Sequence, residues 1–261
     1  HAVDGVSLTV ARGEVLGLVG ESGCGKSALA LSVPRLLPMP PARIEAGAIT
    51  LDGEDLAARP PEALRALRGR RIGVIFQEPT TALSPLHRIG DQIAEAIRLH
   101  RRVSRADTQV LVREWLARVG IPEPDQRVRC WPHELSGGMQ QRIMIAMALV
   151  HDPDLVIADE PTTALDVTIQ AQILDLMKDL QRQYGMAILF ITHDLGVVAG
   201  MCDRVAVMYL GQIVEQAPVR RIYKHPLHPY TQGLLGSVHK VGTHEKKKLF
   251  SIEGTVPLAL N

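Results

Sequence analysis

One run of eight residues has the types and spacing to hold a polyphosphate: Gly20-Glu21-Ser22-Gly23-Cys24-Gly25-Lys26-Ser27. Gly20, Gly23 and Gly25 let the backbone close in on an anion with its N–H groups turned inward. Lys26 sets an ammonium against β- and γ-phosphates, and Ser27 offers a hydroxyl to Mg²⁺. Far downstream, Asp159 and Glu160 follow the apolar run Leu155-Val156-Ile157-Ala158. A carboxylate at the C-terminal end of a strand stands where ligands bind in open α/β sheets. Asp159 there can hold the water shell of the Mg²⁺ that Ser27 touches. Glu160 is placed to polarise a water against the γ-phosphate. Alone, each pattern has a bland reading, a chance Gly-rich turn or a surface carboxylate pair. Together they describe one phosphoryl-transfer site.

The flanking elements are those such a site needs. Val15-Leu16-Gly17-Leu18-Val19 reads as a buried strand, and Ala28 to Ser32 as a helix stopped by Pro34. That helix aims its positive end at the loop. Val3 to Val10 alternates loosely and predicts a strand, with a turn at Ala11 to Glu14. Ala48 to Leu51 predicts a strand and Asp52-Gly53 a turn. Pro61 to Leu67 suits a short helix, and Arg71 to Phe76 a buried strand ending at Gln77-Glu78-Pro79. Beyond it the periodicity turns helical: Ile89, Ile93, Ala96 and Ile97 recur on one face, then Val110 to Val119 before Gly120 and Pro122. Residues from about 83 to 133 therefore read as an all-helical insertion in an α/β domain. Its Arg98, Arg101, Arg102 and Arg105 read as a solvated face rather than a nucleic-acid patch.

Leu135-Ser136-Gly137-Gly138-Met139-Gln140-Gln141-Arg142 opens a long helix through Ala148, with Ser136 as its N-cap and backbone N–H groups left free. After the Leu155–Ala158 strand, Asp166 leads into a helix whose Ile169, Ile173, Leu176 and Leu180 share one face, with Gly185 as its C-cap. Met186 to Ile191 is a further buried strand, followed by Thr192-His193-Asp194. Arg204 to Tyr209 and Gln212 to Val214 form a hairpin about Leu210-Gly211, and Glu245 to Lys248 is a solvated turn. Strands alternating with helices predict a largely parallel, layered α/β core.

Composition narrows the class. At 261 residues with 46% hydrophobic content, the chain has enough apolar residues for one large packed domain or two modest ones. A formal net charge of +1 and an aromatic content of 3% argue against a nucleic-acid surface. No apolar stretch is long enough to span a bilayer, no signal peptide is recognisable, and the chain opens at His1 without a Met, as a piece of a longer protein does. Cys24, Cys130 and Cys202 have no metal-type spacing and read as reduced cytosolic thiols. Cys24 lies inside the phosphate loop, where the preferred reading is a small spacer rather than a redox switch.

In this order the motifs strongly resemble the ATP-binding subunits of ABC transporters, over essentially the whole chain. Gly20 to Ser27 resembles Walker A, Gln77 the Q-loop, Leu135 to Arg142 the family signature, Asp159-Glu160 Walker B, Ala164-Leu165-Asp166 the D-loop, and His193 the switch histidine. The resemblance implies an ATPase with a P-loop nucleotide-binding domain: a mostly parallel core sheet, an antiparallel β subdomain and the helical insertion. Two such domains would pair head to tail, with each ATP between one chain's loop and the other's Ser136, Gly137, Gly138 and Gln140. Glu160 would be the general base, His193 would contact the γ-phosphate, and Gln77 would sense the metal and water. Asp159, Ser27 and Gln77 would hold Mg²⁺, and Asp166 would touch the second subunit.

A narrower resemblance is to the oligopeptide/dipeptide importer branch. It rests on Gln77-Glu78-Pro79 with Ala82-Leu83-Ser84-Pro85, on His225 to Thr231 and on from His228 to Leu235, and on Ile252 to Pro257. It implies a peripheral subunit at the cytoplasmic face of a membrane, working with membrane-spanning permease subunits and an extracytoplasmic solute-binding protein. The helical insertion, with Thr80 to Arg88 at its start, would dock on the permease. The C-terminal extension, about 218–261, continues further in that branch, often with cysteines for an iron–sulfur cluster; with the chain ending at Asn261, no cluster is assigned. The residue that stacks on adenine lies ahead of the first strand in that family and is not identifiable after His1. An importer of another solute such as nickel, an exporter subunit, and a soluble ATPase acting on nucleic acid or the ribosome are the competing readings. The absence of a coiled-coil insertion, zinc-type cysteines or a second cassette weighs against the last.

Overall fold

The computed structural model describes residues 1–163 and 165–237. In chain order the elements begin with strand β1 (Val15–Val19), helix α1 (Lys26–Ser32), the short strands β2 (Thr50–Leu51) and β3 (Glu54–Asp55), helix α2 (Pro61–Leu67) and strand β4 (Ile72–Ile75). Only helices follow for the next 75 residues or so: α3 (Pro79–Ala82), α4 (Ile89–His100), α5 (Arg105–Arg118), α6 (Pro124–Arg127) and α7 (Gly137–Leu149). Then come β5 (Leu155–Asp159), α8 (Val167–Tyr184), β6 (Ala187–Thr192), α9 (Leu195–Met201), β7 (Arg204–Tyr209), β8 (Gln212–Pro218), α10 (Val219–Lys224) and α11 (Pro229–Gly236).

The main sheet has the order β4-β5-β6-β1-β7-β8, parallel throughout except for the edge strand β8. Its central strands read as unbroken apolar runs because helices cover both faces. All six residues of β6 and all five of β1 are buried. The neighbour order matters for function. Register pairs Val19 with Thr192 and Asp159 with Ile191, so β1, β5 and β6 end at one edge. The residues that follow them, Gly20, Glu160 and His193, share that edge, and Gln77 follows β4 beside β5.

The helical stretch has its own anchorage. The amides of Ile89 and Gly90 at the start of α4 bond the carbonyls of Cys130 and Val128 at 2.9 Å each, so its two ends are tied together. Ile89, Ile93, Ile97, Val112, Leu116 and Ile143 are fully buried between α4, α5 and α7. Trp115 stacks on Tyr184 of α8 with ring centroids 6.0 Å apart, which fastens α5 to the core. The basic residues of this stretch face outward, and Arg101 reaches Asp152 at 3.3 Å.

One predicted strand is absent. Val3 to Val10 forms no strand, although Val3, Val6, Leu8 and Val10 pack half-buried against the apolar cluster around Leu16, Leu18 and Met208. The alternation reports burial of one side of the segment. Apart from Asp4, whose amide bonds the Gly211 carbonyl at 2.9 Å, the segment has no ladder partner among the described residues. The antiparallel pairing is thus confined to β2 with β3 and β8 with β7. The predicted hairpin runs to Pro218 rather than Val214, with an irregularity between Val207 and Met208. Ile252 to Pro257 and Glu245 to Lys248 lie outside the described residues.

Gly90 tests the anchorage. A Cβ there would stand 2.2 Å from Val128 Cγ2 and 2.7 Å from the Val128 carbonyl oxygen. Gly90→Ala is expected to cost about 1–3 kcal/mol through overpacking. An unchanged urea midpoint would contradict the close seating of α4 on Val128.

Candidate active site

The phosphate loop is pre-shaped by contacts from within and behind. Lys26 is 5% exposed, and its Nζ donates to the carbonyls of Gly20 and Glu21 at 2.8 Å each. The ammonium therefore fills the hollow of its own loop, poised to exchange two carbonyls for phosphate oxygens. Gly25 caps α1 in a left-handed conformation (φ 107°), and a Cβ there would strike the Ala2 carbonyl at 2.1 Å. The Gly211 amide holds the Cys24 carbonyl at 2.9 Å. Ser22, Gly23 and Ser27 are left on the open face. Cys24 is buried, and burial pushes its thiol above the ordinary range despite the neighbouring Lys26.

Glu160 is the hub of the edge. It has φ 46°, a left-handed conformation that is costly for a residue with a Cβ. Its amide is held by the Ile191 carbonyl at 3.0 Å. The turn swings its carboxylate across the strand ends. Gln77 Nε2 donates to Oε2 at 3.3 Å, Thr163 Oγ1 donates to the same oxygen at 2.8 Å, and His193 Nδ1 lies 3.2 Å from Oε1. The side chain of Glu160 is 12% exposed and that of His193 is 58% exposed, so the histidine closes the site from the solvent side.

Asp159 stands one residue earlier and points inward. It is 7% exposed, and its Oδ1 is buried with no hydrogen-bond partner among the described residues. Burial raises its carboxyl above the usual range, and Glu160 pushes the same way. The Ser27 hydroxyl and Lys26 oppose this. A buried carboxylate oxygen left over beside a hydroxyl is a hard, oxygen-rich position that suits Mg²⁺. Among the described residues no three His, Cys, Asp or Glu cluster for a metal.

Gln77, Asp159, Glu160, His193 and the phosphate loop are thus assembled, and the signature segment is not joined to them. Ser136 and Gly137 are exposed at the start of α7, where the Ser136 hydroxyl accepts the Met139 amide at 3.4 Å. Gly137 and Gly138 back onto Leu165 and Ile169, with no hydrogen bond to the loop among the described residues. The Gln140 amide is buried and donates to the carbonyls of Pro132 and Leu135 at 2.8 and 3.2 Å, which shapes the turn before Ser136. Asp166 caps α8, accepting the Ile169 amide at 2.9 Å. Ala164, beside it, lies outside the described residues. Thr163 escaped notice in the sequence because a threonine three residues after Glu160 carries no pattern of its own.

The family model described as ABC transporter matches residues 3–163, more than half of the chain. The chain belongs to the ABC transporter family, as an ATP-binding cassette. The ABC ATPase is also matched over residues 214–261 by the model for the oligopeptide/dipeptide transporter C-terminal region. It is 53% identical to a Sinorhizobium fredii protein named a probable peptide ABC transporter ATP-binding protein, covering 98% of this chain and 77% of that one. It is 50% identical to the oligopeptide transport ATP-binding protein OppD of Bacillus subtilis, covering 98% and 72%. Among solved structures, the dimeric post-hydrolysis form of the cassette MJ0796 bound to ADP and Pi superposes with a TM-score of 0.74 at 27% identity, covering 84% of this ABC ATPase and 91% of that chain.

The thiols give a check on the loop geometry. Cys202 is pushed up to about 12 by burial, with Asp203 adding to it. Native-state labelling with iodoacetamide at pH 7.5, read by mass spectrometry, is expected to modify Cys130 well before Cys24 or Cys202. Labelling of Cys24 as fast as Cys130 would contradict the closed loop.

Proposed function

We propose that this ATPase energises a membrane importer of peptides, working as one of two cassettes beneath permease subunits. The observation that carries the chemistry is the convergence of Gln77, Thr163 and His193 on the Glu160 carboxylate, at the sheet edge where Lys26 and Ser27 also end. In this reading Lys26 leaves the carbonyls of Gly20 and Glu21 for the β- and γ-phosphates. Glu160 accepts a proton from a water aimed at the γ-phosphorus. The new P–O bond forms as the bond to the bridging oxygen breaks, giving ADP and phosphate. Gln77, Thr163 and His193 fix the carboxylate against that water. Ser27 and Asp159, with Gln77, would hold Mg²⁺, which when bound neutralises charge on the phosphate oxygens.

The Ser136–Gly138 helix start, exposed at Ser136 and Gly137, has no anionic partner among the described residues. It is suited to a γ-phosphate on a second cassette, where free N–H groups and the helix dipole meet an anion. A head-to-tail pair completes both sites, and Asp166 sits close by at the start of α8. The dimeric state of MJ0796 supports this arrangement.

Peptide import is supported by the named relatives and by the C-terminal match. No helix among the described residues is long and apolar enough to cross a membrane, so permeation would be the work of partner subunits, with this chain peripheral on the cytoplasmic side. A solute-binding protein outside the membrane would choose the cargo. The coupling surface in this reading is the start of the helical unit. An apolar cavity of about 240 Å³ opens there between β4, α3 and α7, lined by Phe76, Ala82, Leu83, Met144 and Met147. Leu86, three residues after Leu83 in the chain, is 78% exposed. A short permease helix with apolar anchors fits such a groove.

Three outcomes test the reading. Glu160→Gln should bind ATP as tightly as wild type in a fluorescence assay while hydrolysis falls at least a hundredfold, as expected on removal of a general base. Wild-type turnover in that variant would remove Glu160 from the role. Lys26→Ala should weaken ATP binding by about 3 kcal/mol or more, roughly a hundredfold or more, because buried phosphate charge loses its partner. Leu86→Glu should leave the ATPase rate of the isolated subunit intact and lower both assembly with the permease and peptide uptake. Undiminished uptake would move the coupling surface elsewhere.

A further inference from the structure

The phosphate loop is held from outside by the C-terminal region. Tyr230, the second residue of α11, is 9% exposed, and its hydroxyl accepts the Glu21 amide at 3.0 Å. Glu21 is the second residue of the loop, and no other acceptor takes that amide among the described residues. The Tyr230 ring is fixed in turn. It leans on Tyr209 at the end of β7, with centroids 4.4 Å apart and planes tilted by 40°. Its backbone amide donates to His228 Nδ1 at 3.2 Å. The amides of His228 and Leu227 donate to the Glu215 carboxylate of β8 at 3.0 and 2.9 Å. A chain of contacts therefore runs from the antiparallel edge strand, through the cap of α11, to the mouth of the loop.

The placement gives this chain of contacts a job. The Glu21 carbonyl accepts from Lys26 Nζ at 2.8 Å while that ammonium sits in the hollow of the loop, and from the Cys24 amide at 3.3 Å. When Lys26 turns toward a phosphate, the Glu21 carbonyl loses the ammonium, and the Glu21 amide, on the outer side, does not depend on it. Burial pushes the Tyr230 phenol up to about 12. The hydroxyl therefore stays neutral at physiological pH and keeps its capacity to accept the Glu21 amide.

We propose that Tyr230 is a positioning residue of the nucleotide site. Its hydroxyl holds the first turn of the phosphate loop in register while Lys26 changes partners. The C-terminal region is thereby a working part of the ATPase site as well as an appendage to it. The proposal rests on the reading of residues 20–27 as the phosphate loop.

Tyr230→Phe isolates the effect, because it keeps the ring on Tyr209 and deletes only the hydroxyl. Three measurements on the purified protein decide it. KM for ATP should rise about threefold to tenfold, the worth of one hydrogen bond, while kcat stays within about twofold of wild type. Hydrogen exchange in the peptide spanning the loop should speed up in the nucleotide-free protein. The melting midpoint should fall by no more than a few degrees, as expected for one lost hydrogen bond. A ring that only fills space would leave KM and loop exchange unchanged, and that result overturns the proposal. A fall in kcat with KM unchanged overturns it as well. Lys26→Ala measured in parallel separates the two levels. If Lys26→Ala keeps its affinity for ATP, the phosphate-loop reading fails. If Lys26→Ala loses affinity and Tyr230→Phe does not, only the role of Tyr230 fails.

Discussion

The site depends on a single turn. Glu160 leaves β5 in a left-handed conformation, and its amide is anchored on Ile191 of the neighbouring strand. A non-glycine residue held this way costs about 1–3 kcal/mol, and the surrounding contacts must over-determine it. They do so from three separate strands' ends: Gln77 after β4, Thr163 after β5 and His193 after β6. Without the turn, the carboxylate would continue the line of the strand, and those groups would have nothing in common. The strand order makes the convergence possible, because β4, β5, β6 and β1 are consecutive neighbours and all run the same way.

The neighbouring carboxylate has the opposite environment. Asp159 is buried with an oxygen that has no hydrogen-bond partner among the described residues, whereas Glu160 is surrounded by donors. Adjacent residues at one strand end thus suit different tasks, one a cation and the other a water. Lys26 shows the same economy. Its bonds to Gly20 and Glu21 hold a charge of the sign that suits phosphate inside the loop.

Much of this was legible in the sequence because the chemistry is local along the chain. The loop glycines, Lys26 and Ser27 lie within eight residues of one another, and Asp159 and Glu160 end an apolar strand. The helix cap at Ser136 and the stop at Gly185 were readable for the same reason. What escaped notice is what depends on distant packing. Tyr230 meets Glu21 across 209 positions of sequence, and no local pattern announces that. Gln140 sits in a run that resembles a ligand-binding signature, and its amide donates to the carbonyls of Pro132 and Leu135. The alternation of Val3 to Val10 correctly marks a half-buried segment and misleads about pairing, because side-chain burial and backbone laddering are separate requirements.

The central claim is that the C-terminal edge of this sheet is where ATP is bound and cut. A structure of the protein with a non-hydrolysable ATP analogue and Mg²⁺ tests it most directly. The account predicts Lys26 Nζ on the β- and γ-phosphates instead of the Gly20 and Glu21 carbonyls. It also predicts a water about 3 Å from the Glu160 carboxylate and in line with the γ-phosphorus. Phosphates bound away from residues 20–27, or a γ-phosphate that Glu160 cannot reach through one water, would contradict it.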